Sequence, residues 1–158
     1  MLNEGTVVEQ EDLVLTVEQA KLPEPNKNEY LFVYGTLRKE AGNELHKFIE
    51  KNADYEGIAS TQGKLYMLEE EGYPALVSSD SQVDTVVGEL YKLNSPIKLL
   101  AILDEYEEYF PNDNVNSVFI RNTIPVNFEG KTIESYAYLF NRSTEGLVAI
   151  DRGDFMGR

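Results

Sequence analysis

The chain has 158 residues, 42% of them hydrophobic and 27% charged, enough to bury one sizeable core in a single domain. Its formal net charge of −14 leaves no basic surplus to neutralise phosphates, which argues against nucleic acid and anionic membrane surfaces as partners. Cysteine is absent, which excludes disulfides and thiolate chemistry and fits a cytoplasmic protein.

Residues 1–28 are rich in acids, and Pro23 and Pro25 interrupt regular structure before the first strong strand. They lack the basic start and apolar run of a secretion signal. The expected division is an acidic extension over 1–28, in which "DLVLTV" offers an edge strand, and one folded domain over 29–158. No apolar run approaches the roughly 20 residues of a membrane span.

"YLFVY" (Tyr30 to Tyr34) reads as a buried strand that stops at Gly35. Gly35 and Thr36 turn the chain, and Leu37-Arg38-Lys39 follow. A tight, small-residue loop after a buried strand has three readings: a plain turn, an anion cradle, or the wall of a catalytic pocket. "GNELHKFIEKN" has helical spacing, with Leu45, Phe48 and Ile49 on one face and His46 on the surface. As the single histidine in a chain without cysteine, His46 supports neither a zinc centre nor a Ser-His-Asp triad.

"EGIASTQGKLYML" holds strand residues broken by Gly63, "EEEGYPALVSS" turns at Gly72 and Pro74, and "TVVGELYKL" is a further strand. "GKLYML" and "GELYKL" share G-x-L-Y-x-L, two similar strands each entered through a glycine that permits close approach. "PNDNVNS" reads as a surface turn. "SVFIRNTIPVNF" and "KTIESYAYLF" flank Glu129-Gly130 and suit a hairpin. Many strands and two principal helices give an α+β class: a small, mostly antiparallel barrel or curled sheet with helices outside.

The helix "SPIKLLAILDEYEEY" is the most informative element. Ser95 suits its N-cap and Pro96 its first turn. At roughly 100° per residue, Leu99, Leu100, Ile102, Leu103 and Tyr106 share one arc toward the core. Glu105 and Glu108 fall on the solvated side, and Asp104 near the edge. Glu107 projects between Leu100 and Leu103. Either the helix ends before Glu107 and its direction means little, or a carboxylate is set into an apolar wall, where burial raises its pKa toward that of a general base or acid.

In order and spacing, "VYGTLR", "GYPAL", "VVGELY", "LDEYEEY" and a terminal "GDF" resemble the γ-glutamylcyclotransferase-like family, the group that includes AIG2-like proteins and γ-glutamylamine cyclotransferase. The resemblance runs from Tyr30 to about Tyr138 and leaves the extension without a counterpart. It implies a small mixed β-barrel with flanking helices and a cavity at one end. It implies a substrate loop at Tyr34, Gly35, Thr36 and Leu37 and a catalytic glutamate at Glu107. A late-strand tyrosine falls on Tyr138, with Tyr136 two residues away on the same face. Where many members have "YEG", this chain has "YEE": Glu108 replaces a glycine, so the helix exit and cavity rim differ.

The implied activity is release of 5-oxoproline and an amine from a small γ-glutamyl substrate, without cofactor or metal. The α-amine attacks its own γ-carbonyl, so no external nucleophile is needed. The enzyme supplies proximity and a proton carrier. Backbone N–H groups of Gly35, Thr36 and Leu37 suit a carboxylate or oxyanion. Tyr66, Tyr73 and Tyr91 are candidate cavity residues that core packing explains equally well. Arg38 and Arg121 read as structural or solvated ion pairs. Two other roles stay open: a non-catalytic module of the same fold that binds a small acidic metabolite, and an interaction protein whose acidic extension docks a basic partner. The leaving amine and the oligomeric state are not fixed by the sequence.

Overall fold

The computed structural model describes residues 29–157, so the expected extension and its "DLVLTV" strand lie outside the described residues. The elements in order are β1 (Tyr30–Val33), α1 (His46–Asn52), β2 (Ala53–Gln62), β3 (Lys64–Leu68), β4 (Tyr73–Val77), β5 (Thr85–Leu93), α2 (Pro96–Tyr106), β6 (Phe119–Phe128), β7 (Lys131–Phe140), β8 (Val148–Ala149) and a 3-10 turn over Phe155–Gly157.

Five strands form a closed barrel in the order β1-β5-β2-β6-β7. The β1–β5, β5–β2, β2–β6 and β6–β7 neighbours are antiparallel, and a parallel contact of Leu31 with Tyr136 closes the ring. The expected mixed, mostly antiparallel barrel with helices is therefore the observed architecture. A second antiparallel sheet, β4-β3-β8, accompanies it. β6 and β7 pair from Phe119↔Phe140 to Phe128↔Lys131. Glu129 at φ 51 and Gly130 at φ 80 make the two-residue turn whose twist suits a hairpin.

β1 is apolar along its length because both its sides are covered. Leu31 and Val33 join a cluster with Ile49, Tyr91, Leu99 and Leu103, while Phe32 packs with Leu65, Leu76, Val86, Leu90 and Val126. β5 approaches β1 so closely that a side chain at Gly88 would meet the Val33 carbonyl and the Phe32 ring, 2.7 Å away. Gly63 is similarly hemmed in by Leu76 and Val77. The shared glycine pattern thus marks close approach, although Gly88 lies inside its strand and not at the entry.

Several local expectations are corrected. α1 is two turns long and turns His46, Ile49 and Asn52 inward, so the buried face is rotated from the one assigned to Leu45, Phe48 and Ile49. Phe48 is 41% exposed, whereas His46 is buried with its Nδ1 2.9 Å from the Leu37 carbonyl. A carbonyl only accepts, so Nδ1 carries the proton. Pro74 does not turn the chain: Gly72, at φ 83, does that, and Pro74 lies in β4, an edge strand where a missing N–H is tolerated. Ser95 occupies the N-cap of α2 without a side-chain capping bond. No helix among the described residues is long and apolar enough to cross a membrane.

The close β1–β5 approach is testable. Gly88→Ala is expected to cost about 1–3 kcal/mol by overpacking, read as a lower urea midpoint at unchanged slope. An unmoved midpoint would show that the strands part freely.

Candidate active site

All six residues assigned to the site from sequence converge on one cavity of about 190 Å3: Tyr34, Gly35, Thr36, Leu37, Glu107 and Tyr138. Phe32, Val33, Pro74 and Phe119 line it as buried residues, and the more exposed Tyr73, Tyr106 and Glu108 line it as well. Of the other candidate tyrosines, Tyr73 lines the cavity. Tyr91 is instead buried in the core, where its hydroxyl donates to Glu89 Oε1 at 2.9 Å. Tyr66 belongs to β3 and is not part of the wall.

The loop after β1 is pinned from behind. Arg38 N–H donates to the Gly35 carbonyl at 3.0 Å, His46 takes the Leu37 carbonyl, and Lys39 N–H donates to Glu89 Oε1 at 3.0 Å. Among the described residues, the N–H groups of Gly35, Thr36 and Leu37 have no protein acceptor. Gly35 is glycine because the Pro74 ring would lie 2.7 Å from any Cβ there. Arg38 is the structural ion pair that the sequence suggested. Its Nη1 meets Asp154 Oδ1 at 2.8 Å and its Nε meets Glu89 Oε2 at 3.5 Å.

α2 ends at Tyr106, and Glu107 is its C-cap. The helical direction persists for one residue: Glu107 N–H still bonds the Leu103 carbonyl at 2.8 Å. The side chain therefore follows Leu100 and Leu103 inward even though the helix has ended. Its carboxyl has no hydrogen-bond or ion-pair partner among the described residues, and burial pushes its pKa up to about 8. Residue 107 as a whole keeps partial solvent contact.

Beyond the helix end the projected angles fail. Glu108 adopts φ 56, a region that favours glycine, and lines the cavity as well as facing solvent. Tyr106 is 39% exposed and not in the core. Its hydroxyl accepts from Asn43 Nδ2 at 2.8 Å and lies 3.4 Å from Thr36 Oγ1, linking α2 to the loop.

Tyr138, not Tyr136, reaches the cavity. Its hydroxyl donates to Asp104 Oδ1 at 2.6 Å. Arg121 grips the same carboxylate twice, Nε to Oδ1 at 2.8 Å and Nη2 to Oδ2 at 3.1 Å, with its guanidinium 5.0 Å from the Tyr136 ring. Sequence reasoning missed Glu89, His46 and Asp104. Glu89 carried a faint signal: it alternates with Tyr91 and Leu93 on one side of a buried strand.

The raised Glu107 pKa fixes a pH trend. Between its ordinary 4.5 and about 8, the folded protein holds a proton that the unfolded chain has lost. The group's contribution to stability therefore falls as pH rises through that window and levels off above it. Glu107→Gln carries no titrating group, so its stability relative to the parent is expected to climb from pH 5 to pH 9 in urea unfolding. A constant difference across that range would mean that the carboxyl is ionised in the native protein at low pH.

Residues 31–157 match the family model described as "Gamma-glutamyl cyclotransferase, AIG2-like". A curated relative from Niallia circulans, gamma-L-glutamyl-butirosin B gamma-glutamyl cyclotransferase, is 35% identical over 112 residues, 71% of this chain and 67% of that protein. The crystal structure of YkqA from Bacillus subtilis shares the fold with a TM-score of 0.61 at 24% identity, covering 82% of this chain but only 40% of that one. An AIG2-like protein from Mus musculus has a TM-score of 0.58 at 23% identity, covering 75% of this chain and 82% of that one. The chain belongs to the gamma-glutamyl cyclotransferase, AIG2-like family and is an enzyme of the γ-glutamylcyclotransferase type.

Proposed function

We propose that the protein closes the γ-glutamyl group of a small conjugate into 5-oxoproline and releases the amine or amino acid, with Glu107 carrying the proton and no cofactor taking part. The observation that supports this most directly is the unpartnered, buried carboxyl of Glu107 in the same small cavity as the unbonded N–H groups of residues 35–37.

The α-ammonium of the substrate must lose a proton before it attacks. A carboxyl whose pKa is raised to about 8 takes up that proton far more readily than an ordinary carboxylate does. The free amine bonds to the γ-carbonyl carbon, and the carbonyl oxygen gains negative charge. An N–H group at 35–37 stabilises it there or holds the α-carboxylate. The amide C–N bond then breaks, and Glu107 returns its proton to the leaving nitrogen. The ring nitrogen sheds a second proton after bond formation, and this too passes to the leaving nitrogen, which departs as an ammonium, so atoms and charge balance within one substrate. Enclosure in a cavity of this size favours the folded, attacking conformer, an effect that can be worth several kcal/mol.

The cavity is smaller than the roughly 300–1,000 Å3 of a drug-sized site, so it takes the γ-glutamyl head and leaves the departing amine near Tyr73, Tyr106 and Glu108. The Niallia circulans relative is named for a γ-glutamylated compound, so a γ-glutamyl-protected metabolite belongs in the substrate panel with γ-glutamyl dipeptides, γ-glutamyl-lysine derivatives and glutathione.

The test is that panel, with 5-oxoproline as the readout. On any substrate converted by the parent, Glu107→Gln is expected to lower turnover by about two to four orders of magnitude. Glu105→Gln, on the exposed side of α2, should change it little. Glu108 lines the cavity and so does not serve as a neutral control. Full activity in Glu107→Gln overturns the assignment.

A further inference from the structure

Four tyrosines line the cavity, of which two, Tyr34 and Tyr138, are buried, and a phenol has one proton to donate. Both protons are already committed to the protein. The Tyr34 hydroxyl donates to the Tyr138 carbonyl at 2.6 Å, and the Tyr138 hydroxyl donates to Asp104 Oδ1 at 2.6 Å. The second bond is held from behind. Arg121 takes Oδ1 and Oδ2 of Asp104 through two donors, a bidentate grip that fixes the orientation of the carboxylate. Burial and the adjacent Asp104 carboxylate raise the Tyr138 pKa, so the phenol keeps its proton.

What Tyr138 offers a ligand is therefore a lone pair. The unbonded N–H groups of residues 35–37 offer the opposite. The cavity thus offers donors at residues 35–37 and acceptors at Tyr138 and Glu107, which lie within electrostatic reach of each other. A γ-glutamyl head has the matching polarity: an α-carboxylate that needs donors and an α-ammonium that needs acceptors.

We propose that Asp104 is a positioning residue: by taking the Tyr138 proton it fixes that phenol oxygen as an acceptor for the substrate's α-ammonium, which brings the amine to the side of the cavity that holds Glu107. The inference rests on the γ-glutamyl reading above. Asp104 precedes Glu107 by three residues at the end of α2, a spacing that puts both on neighbouring parts of the same helical face. One helix end thus supplies the proton carrier and, through Tyr138, the orientation of the amine. Without Asp104 the hydroxyl is free to turn its proton into the cavity, where a donor facing an ammonium repels it.

The experiment compares two ligands in three variants. One ligand is a γ-glutamyl compound that the parent converts; the other is its desamino analogue, a glutaric monoamide of the same amine, used as a competitive inhibitor. Asp104→Asn and Tyr138→Phe are each expected to lower kcat/KM on the γ-glutamyl compound about ten-fold, the scale of one lost hydrogen bond to a charged group. Inhibition by the desamino analogue should stay within about two-fold of the parent, because it has no ammonium to place. The double variant should be no worse than Tyr138→Phe alone.

Equal weakening of both ligands, or full additivity in the double variant, overturns the inference. Should Asp104→Asn fail to fold, Tyr138→Phe retains the Asp104–Arg121 pair and the two-ligand comparison decides. A parent that makes 5-oxoproline and an Asp104→Asn variant equally active sink this inference alone. A parent that converts nothing in the panel sinks the enzymatic reading, and this inference with it.

Discussion

Arg38 and Glu89 meet in the interior, each with under a tenth of its side chain exposed, and the geometry of the cavity follows from that meeting. Two buried charges are tolerable only when paired and hydrogen-bonded, and removing one partner typically costs about 3–5 kcal/mol. The remaining capacity here is filled. Glu89 Oε1 receives Lys39 N–H and the Tyr91 hydroxyl, and Arg38 Nη1 reaches Asp154. The cluster ties together the loop after β1, the middle of β5 and the turn-rich tail. A free turn of four residues would sample many backbones. This one is fixed at its exit by a charge network and at Leu37 by His46, so the N–H groups of residues 35–37, which have no protein acceptor among the described residues, are held in a defined frame.

The opposite wall is fixed by different means. Leu99, Leu100 and Leu103 seat α2 in the core, and the Asp104–Arg121 pair ties its last turn to β6. Glu107 sits one residue past the helix, where two effects act in the same direction. Burial disfavours its charge, and the negative end of the helix dipole does so too. Neither requires a partner residue. The carboxyl can thus remain unpaired in the wall, available to exchange a proton, because its neutral form is the comfortable one near neutral pH.

Much of this was legible in the chain. The apolar run ending at Gly35, the Glu129-Gly130 hairpin and the amphipathic α2 each follow from local pattern. The direction of Glu107 was legible for the same reason, since its spacing from Leu100 and Leu103 held even at the C-cap. Glu108 and Tyr106 were misplaced because a helical projection fails where the helix ends, and φ 56 at Glu108 swings the chain off the arc. His46 was misplaced because a two-turn helix has too few positions to choose between faces one residue apart. Glu89 and Asp104 were invisible for a deeper reason. Their roles come from partners 51 and 34 residues away, Arg38 and Tyr138, and no single-element periodicity contains that information. In a chain carrying 28 acids, a buried one is not marked by its identity.

The division between the two walls also separates ring closure from the choice of leaving amine. Under the proposed reaction, every group that handles the γ-glutamyl head lies on the pinned loop, on β7 or at Glu107. The departing amine meets a different set: Tyr73, Tyr106 and Glu108. Glu108 holds a left-handed backbone that costs a non-glycine residue on the order of 1–2 kcal/mol, and Val118 N–H braces its carbonyl at 3.0 Å. A glycine there would relieve the strain but leave the rim without a side chain. Substitution at 108 therefore changes what the leaving group touches while the charge cluster, the Asp104–Arg121 pair and the Glu107 carboxyl keep their places. Under the proposed reaction, the amine can therefore vary at this rim without disturbing the proton chemistry inside.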